Sequence, residues 1–357
     1  MKILSINPGS TSTKIALYED LQPIFVQTLR HTAEEIANYS SIIEQFAFRK
    51  EIIVKFLKEN NVELASIGAV VGRGGLLKPI AGGVYRVNDK MIADLHNPPM
   101  GEHASNLGGI IALEIAKEIG NNTPSFIADP VVVDELCDLA RYSGHPELPR
   151  VSIFHALNQK ATARRYAREN NTDYSKLTLI VVHLGGGISI GLHKNGRVID
   201  VNNALNGSGP MSPERSGSLP AAALVDLCFS GKYQKADIKK MITGQGGCVA
   251  FLGTNDTLEI ETRALEKNDA EAKKIFDAMI YQVAKEIGFL APVVKGKVDA
   301  ILLTGGIAYS DYFCKEVAEM VEFIAPVHRY PGEGEMLALT EAVYYATKGE
   351  IEILEYR

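Results

Sequence analysis

Short apolar runs, each closed by a glycine or polar turn, organise this chain. Lys2 to Ile6 has the character of a buried strand; Asn7-Pro8-Gly9 breaks it, the hydroxyl-rich stretch Ser10 to Lys14 comes next, and Ile15 to Tyr18 resumes the strand pattern. The turn Glu19-Asp20 then leads into a further apolar segment, Leu21 to Val26. The same order returns later. Leu177 to Leu184 reads as a strand, Gly185-Gly186-Gly187 as a tight turn, Ile188 to His193 as a second strand, and Lys194-Asn195-Gly196 as a hairpin turn into Arg197 to Val201. A third glycine turn, Thr304-Gly305-Gly306, closes the strand Asp299 to Leu303. The two copies share a pattern of elements and little sequence identity.

Helical spacing fills the intervals. Ala33 to Glu59 fits one or two amphipathic helices, and Ser105 to Gly120, Ala270 to Lys295 and Met336 to Lys348 have similar stripes. Phe154 to Glu169 is also helical, and its Lys160, Arg164, Arg165 and Arg168 read as a solvated face. Strands alternating with helices in both halves predict two α/β domains. The boundary is expected near Pro146 to Arg150, with a return to the first domain near Pro331-Gly332. These limits give a first domain of residues 1–148, completed by a C-terminal helix at about 336–357, and a second of 149–335.

Composition narrows the class. A chain of 357 residues can bury two cores, and 46% hydrophobic with 22% charged residues is ordinary for a globular protein. A formal charge of -6, with both signs mixed along the chain, argues against a nucleic-acid-binding surface. Cys137, Cys228, Cys248 and Cys314 form no Cys-x-x-Cys pair and read as reduced thiols. No charged-then-apolar leader is visible, and no apolar run approaches the roughly 18 residues of a membrane helix. A cytoplasmic protein without a membrane partner is expected.

The candidate chemistry gathers at the turns. Glycine lets backbone approach a phosphate or an adenosine closely. Hydroxyls and amides around Gly9, with Lys14 at the far side, suit an anion with several acceptor oxygens. This turn departs from the usual nucleotide loop, Gly-x4-Gly-Lys-Ser/Thr leading into a helix, because a strand resumes at Ile15. Arg73 lies in Gly72-Arg73-Gly74-Gly75 and Arg215 in Met211 to Gly217; a planar guanidinium matches carboxylates and phosphates, and flanking glycines leave room. Asp129 stands at a strand end before Pro130, His155 comes after Phe154, and His183 precedes the turn at Gly185. Glu333 and Glu335 open the last helix, where an acid also complements the helix dipole.

Taken together, Ile6 to Lys14, Gly72 to Leu77, Gly101 to Gly108, Asp129 to Glu135, Ile153 to Gln159, His183 to Ser189, Asp200 to Ala204, Pro213 to Gly217 and Leu303 to Gly306 resemble the acetate and butyrate kinase family nearly end to end. The match to its butyrate (branched-chain fatty acid) kinases is close, within the superfamily of sugar kinases, heat-shock chaperones and actin. The resemblance implies two related actin-like (ribonuclease H-like) α/β domains, each a mixed sheet flanked by helices, with an ATP cleft between them. It implies ATP-dependent phosphorylation of a short-chain carboxylate to an acyl phosphate plus ADP, reversible and in line, by a homo-oligomer using Mg²⁺.

Residue by residue, the resemblance puts Asn7, Ser10, Ser12 and Lys14 in the first phosphate loop, Gly185, Gly186 and Gly187 in the second, and Gly305, Gly306 and Ile307 at the adenosine. Thr254 and Asp256 would line the nucleoside site. Arg73 and Arg215 would clamp carboxylate and phosphoryl group, supported by His155 and His183. Asp129 and a C-terminal glutamate, Glu333 first and Glu335 as the alternative, would position magnesium. Acetate-specific relatives have Arg-Val-Val where this chain has Arg73-Gly74-Gly75, so Gly75, with Phe154, would open the acyl site to butyrate or a branched C4–C5 acid. The chemistry is consistent: a carboxylate with a pKa of roughly 4 is already ionised and needs no general base, only help in approaching a polyanion. The alternatives are a sugar or alcohol kinase, with Asp129 as base, and a non-catalytic actin-like nucleotide-binding protein.

Overall fold

Every residue from 1 to 357 is described in the structure, a computed structural model, and the chain divides into two units. Unit 1 comprises Met1–Val133 with Gly334–Arg357, and unit 2 comprises Asp134–Glu333.

In unit 1 the opening hairpin forms as its pattern predicts. Strands β1 (Lys2–Pro8), β2 (Ser12–Glu19) and β3 (Gln22–Arg30) make an antiparallel meander. β4 (Ile67–Arg73) lies parallel to β1, β6 (Ser125–Ala128) parallel to β4, and β5 (Val84–Arg86) antiparallel to β6. The C-terminal strand Ile353–Glu355 adds to β5. β1 is buried at every position after Lys2 because both of its faces are covered. On one face Leu4 and Ile6 pack with Ile53 and Leu57 of helix Phe46–Glu59 and Ile111 of helix Asn106–Ile119. On the other, helix Glu335–Thr347 returns, with Ser5 Oγ and Thr340 Oγ1 2.8 Å apart. Helix Asn106–Ile119 touches β4 backbone to backbone: a side chain at Gly72 would come within 2.0 Å of the Gly108 carbonyl oxygen.

Unit 2 repeats the opening order. β7 (Thr178–Leu184), β8 (Ile188–Lys194) and β9 (Arg197–Val201) form the meander, and β10 (Ala300–Gly305) runs parallel to both β7 and β11 (Val327–Pro331). The neighbour order β10-β7-β8-β9 thus matches β4-β1-β2-β3 in unit 1. The 21-residue helix Ala270–Leu290 buries Phe276, Met279, Val283 and Ile287 in one stripe, and Asp269 caps it by accepting from Glu271 N and Ala272 N.

Two expectations change. The chain leaves unit 1 at Val133, before Pro146 to Arg150, because the intervening segment is bonded into unit 2: Cys137 N donates to Ile199 O, and Glu135 Oε2 accepts from Val198 N. Lys160 is not on a solvated face. It is 2% exposed, and its ammonium lies 2.9 Å from both oxygens of Glu135. No helix is long and apolar enough to cross a membrane.

Candidate active site

Unit 1 gathers polar side chains at the C-terminal ends of its adjacent parallel strands, the edge at which α/β sheets bind ligands. Asn7 nears the end of β1 and Arg73 ends β4, while Asp129 lies just past β6; the register pairs Ile6 with Gly72 and Arg73 with Ala128. Glu335, the first residue of the returning helix, joins them. Arg73 Nη1 meets its Oε1 at 2.5 Å, and Asn7 Nδ2 donates to its Oε2 at 2.5 Å. Asp129 has φ +37, uncommon for a residue with a side chain, and Gly83 fixes it: Gly83 N donates to Asp129 Oδ1, and Asp129 N to Gly83 O. Lys14, exposed, pairs with Asn7 across β1 and β2. Ser10 and Ser12 lie on the turn between those strands, which Gly9 N closes by donating to Ser12 O.

Beneath that turn sits a residue that sequence reasoning misses. Arg49 is 1% exposed. Its Nη1 donates to Gly9 O, Ser12 O and Thr13 Oγ1, its Nη2 to Ser10 O, and both Nη2 and Nε to Gln45 Oε1. All of these acceptors are uncharged, and burial pulls its pKa below the ordinary value. The signal that could have found it is its place on the buried stripe Gln45, Arg49, Ile53, Leu57, where an apolar residue is expected. Thr13 also meets His31 Nε2 at 2.9 Å. Burial, and after it the charge of Arg49, lowers the His31 pKa.

Gly75 does not open a space. A side chain there would come within 2.5 Å of Asn106 Cα. Asn106 occupies that volume and is fixed in it, accepting from Leu76 N and donating to Gly101 O.

In unit 2 the glycine turn between β7 and β8 and Arg215 form one structure. A Cβ on Gly187 would lie 1.8 Å from Arg215 Nη1, so the guanidinium occupies the place a side chain would take. Arg215 Nη1 donates to Ala204 O at 2.7 Å, while Nε is buried without a partner. Burial lowers the Arg215 pKa and the neighbouring Glu214 opposes the shift; the group stays a cation. Ser212 Oγ ties the segments together, donating to Gly186 O and accepting from Arg215 N. His155 and His183 stack with centroids 3.8 Å apart and planes 13° from parallel. Gly305, at φ +90, leaves no room for a side chain against the Leu184 carbonyl and exchanges backbone hydrogen bonds with Gly332. Gly306 is open, and Ile307 is buried at the start of a short 3-10 turn.

Asp256 caps helix Thr257–Leu265, accepting from Leu258 N and Glu259 N, and Thr254 donates to Glu259. Their neighbour Asn255 is the one that reaches Glu214, beside Gly186. Glu333 is exposed, and its backbone carbonyl accepts from Asn158. Phe154 is buried just before helix Ala156–Glu169. No group of three or more His, Cys, Asp or Glu side chains forms a metal cage.

Two α/β units, each with a strand–glycine turn–strand core, define an actin-like kinase fold. The fold is shared with acetate kinase from Porphyromonas gingivalis, at TM-score 0.77 and 20% identity, over 96% of this chain and 98% of that one. A propionate kinase from Francisella tularensis gives TM-score 0.72 and 19% identity over 96% and 98%. The chain belongs to the acetokinase family: residues 150–325 match that family, and a full-length likeness to butyrate kinase covers the remainder. Butyrate kinase 2 of Clostridium acetobutylicum is 58% identical over 356 residues, covering 100% of this chain and 99% of that protein.

Proposed function

We propose that the protein transfers the terminal phosphoryl group of ATP to butyrate or a branched C4–C5 acid, giving ADP and an acyl phosphate, reversibly and by direct in-line attack. The full-length relation to butyrate kinase 2, at 58% identity, carries this reading. An ionised carboxylate needs no base; its barrier is charge repulsion, which arginines and a lysine relieve. Arg73 and Lys14 in unit 1 and Arg215 in unit 2 are cations suited to that task. Arg215 Nε, buried and unpartnered, is a donor whose desolvation a ligand oxygen would offset. The glycines at 185–187, with Gly305, Gly306 and Ile307, take the nucleotide. Asn7, Ser10 and Ser12 take the group that moves.

Magnesium keeps several waters and binds through one or two carboxylates plus substrate phosphates, so the lack of a three-ligand cage suits it. Asp129 and Glu335 would hold its waters; Glu335 is preferred to Glu333 because it is the glutamate tied to Asn7 and Arg73. When bound, the ion supplies charge neutralisation on the phosphates. The relatives do not favour a sugar kinase. Helix Ala221–Cys228 is rich in Ala, Leu and Val yet buries none of its residues, which supports a homo-oligomer with a second copy on that face; light scattering tests it. For the reaction, hydroxylamine is added to ATP and a panel of C2 to C6 acids. Acid-dependent hydroxamate, greatest for C4–C5 acids, is expected. ADP without hydroxamate, or equal turnover of acetate, would refute the reading.

A further inference from the structure

Behind the glycine turn of unit 2 runs a chain of buried polar groups whose hydrogen positions can be deduced from atoms with only one possible role. It begins at a backbone carbonyl. Gln159 Nε2 lies 2.9 Å from Ser189 O, a pure acceptor, so that end of the amide is the donor. Gln159 Oε1 therefore faces His193 Nε2, 3.0 Å away, and that nitrogen carries the proton. His193 is wholly buried and held neutral by desolvation, so its Nδ1 accepts from the Tyr174 hydroxyl at 2.7 Å. In the other direction, Gln159 Nε2 gives its second hydrogen to Ser189 Oγ at 2.8 Å. His155 N also points at that hydroxyl, at 3.4 Å. With two donors aimed at it, the Ser189 hydroxyl can place its own hydrogen only on His155 Nδ1, 2.9 Å away.

We infer that Gln159 and Ser189, supported by His193 and Tyr174, are positioning residues that fix the proton of His155 on Nε2, making this histidine a neutral hydrogen-bond donor to the phosphoryl group in transfer. The inference rests on the carboxylate-kinase reading for the identity of that group, but the tautomer is set by the network alone. The stacked partner is set the opposite way by the same logic. Asn158 Nδ2 is 2.7 Å from the Glu333 carbonyl, so its Oδ1 accepts from His183 Nδ1, also at 2.7 Å, and the His183 proton sits on Nδ1. Two carbonyls thus give two parallel rings opposite tautomers. A donor that is neutral and fixed in advance can stabilise charge developing on a phosphoryl oxygen without reorganising.

The test is nitrogen-15 NMR of the histidine rings in the full-length protein at pH 7.5, with resonances assigned by single His→Asn substitutions. His155 and His193 should show protonated Nε2 and unprotonated Nδ1, and His183 the reverse. In Ser189→Ala the His155 nitrogens should move toward a mixed-tautomer average, and kcat should fall roughly tenfold, the worth of one hydrogen bond, with KM for ATP and acid little changed. Gln159→Met, which frees the Ser189 hydroxyl to turn, provides a second route to the same shift. A His155 protonated on Nδ1 or on both nitrogens, or a Ser189→Ala enzyme with unchanged kcat, would overturn the inference. Full turnover by His155→Asn would instead overturn the role assigned to His155 itself, whatever its tautomer.

Discussion

Replacing Arg49 by methionine keeps most of the side-chain volume and removes both the charge and the donors beneath the turn between β1 and β2. The carbonyls of Gly9, Ser10 and Ser12 and the amide oxygen of Gln45 lose their guanidinium donors. A buried acceptor left without its donor costs about 1–3 kcal/mol. The loop carbonyls fall at the low end because Ser10 is exposed and Gly9 is half-buried, so water replaces part of the loss. Relief from burying a guanidinium, several kcal/mol in the other direction, offsets a further share. The net expectation is about 2–4 kcal/mol of destabilisation, read as a lower denaturant midpoint at unchanged m-value. Turnover should fall further than stability explains, because the serines proposed to hold the moving phosphoryl group lose their backing. Arg49→Lys should be intermediate, since one ammonium cannot span the positions the fork reaches. A methionine variant within about 1 kcal/mol of wild type and with full kcat would refute this reasoning.

Four further outcomes rest on the same geometry. Gly75→Val, which places a side chain against Asn106 Cα, should lower the melting temperature rather than shift preference toward acetate; a variant of unchanged stability that prefers acetate would contradict it. Gly187→Ala must displace the Arg215 guanidinium, and a displacement of about 1 Å can cost on the order of a hundredfold in kcat; near-normal turnover would show that Arg215 does not act from its present place. Lys14→Ala should depress turnover more than ATP affinity, and weakened ATP binding with intact kcat would contradict its assignment. His31 and His193 both have lowered pKa values in the folded chain, so below the ordinary value of about 6.5 the unfolded chain takes up protons that the native state refuses. Stability should therefore be full above that pH and decline as pH falls toward the folded values. His193→Gln should decline less steeply than wild type between pH 7.5 and 5.5, and equal slopes would contradict this.

Much of the architecture is legible in the sequence because it rests on local signals. The two meanders, their glycine turns and the helices at 106–119 and 335–347 are written in apolar periodicity and turn residues a few positions apart. What escapes depends on partners distant in sequence. Lys160 looks solvated until Glu135 comes to lie against it, and Arg49 looks like a surface helix charge until the loop at Gly9 lies over it. Gly75 reads as missing volume, yet Asn106 fills the gap from the start of another helix. The unit boundary misleads for a similar reason: the prolines near 146–149 look like a linker, whereas the hydrogen bonds of 135–137 decide which unit holds the segment. The preference for Glu335 over Glu333 in the proposed magnesium site rests on a contact distant in sequence, its carboxylate lying against Asn7 and Arg73.

Direct attack of a carboxylate oxygen on phosphorus, the central claim, is open to an isotope test. Butyrate labelled with oxygen-18 in both carboxyl positions is incubated with ATP, magnesium and enzyme, and the product is cleaved with hydroxylamine, which attacks the acyl carbon. The released phosphate should carry one oxygen-18 atom, the former bridging oxygen of the acyl phosphate. Unlabelled phosphate released alongside ADP would contradict the claim, because the acid would then not have been the acceptor.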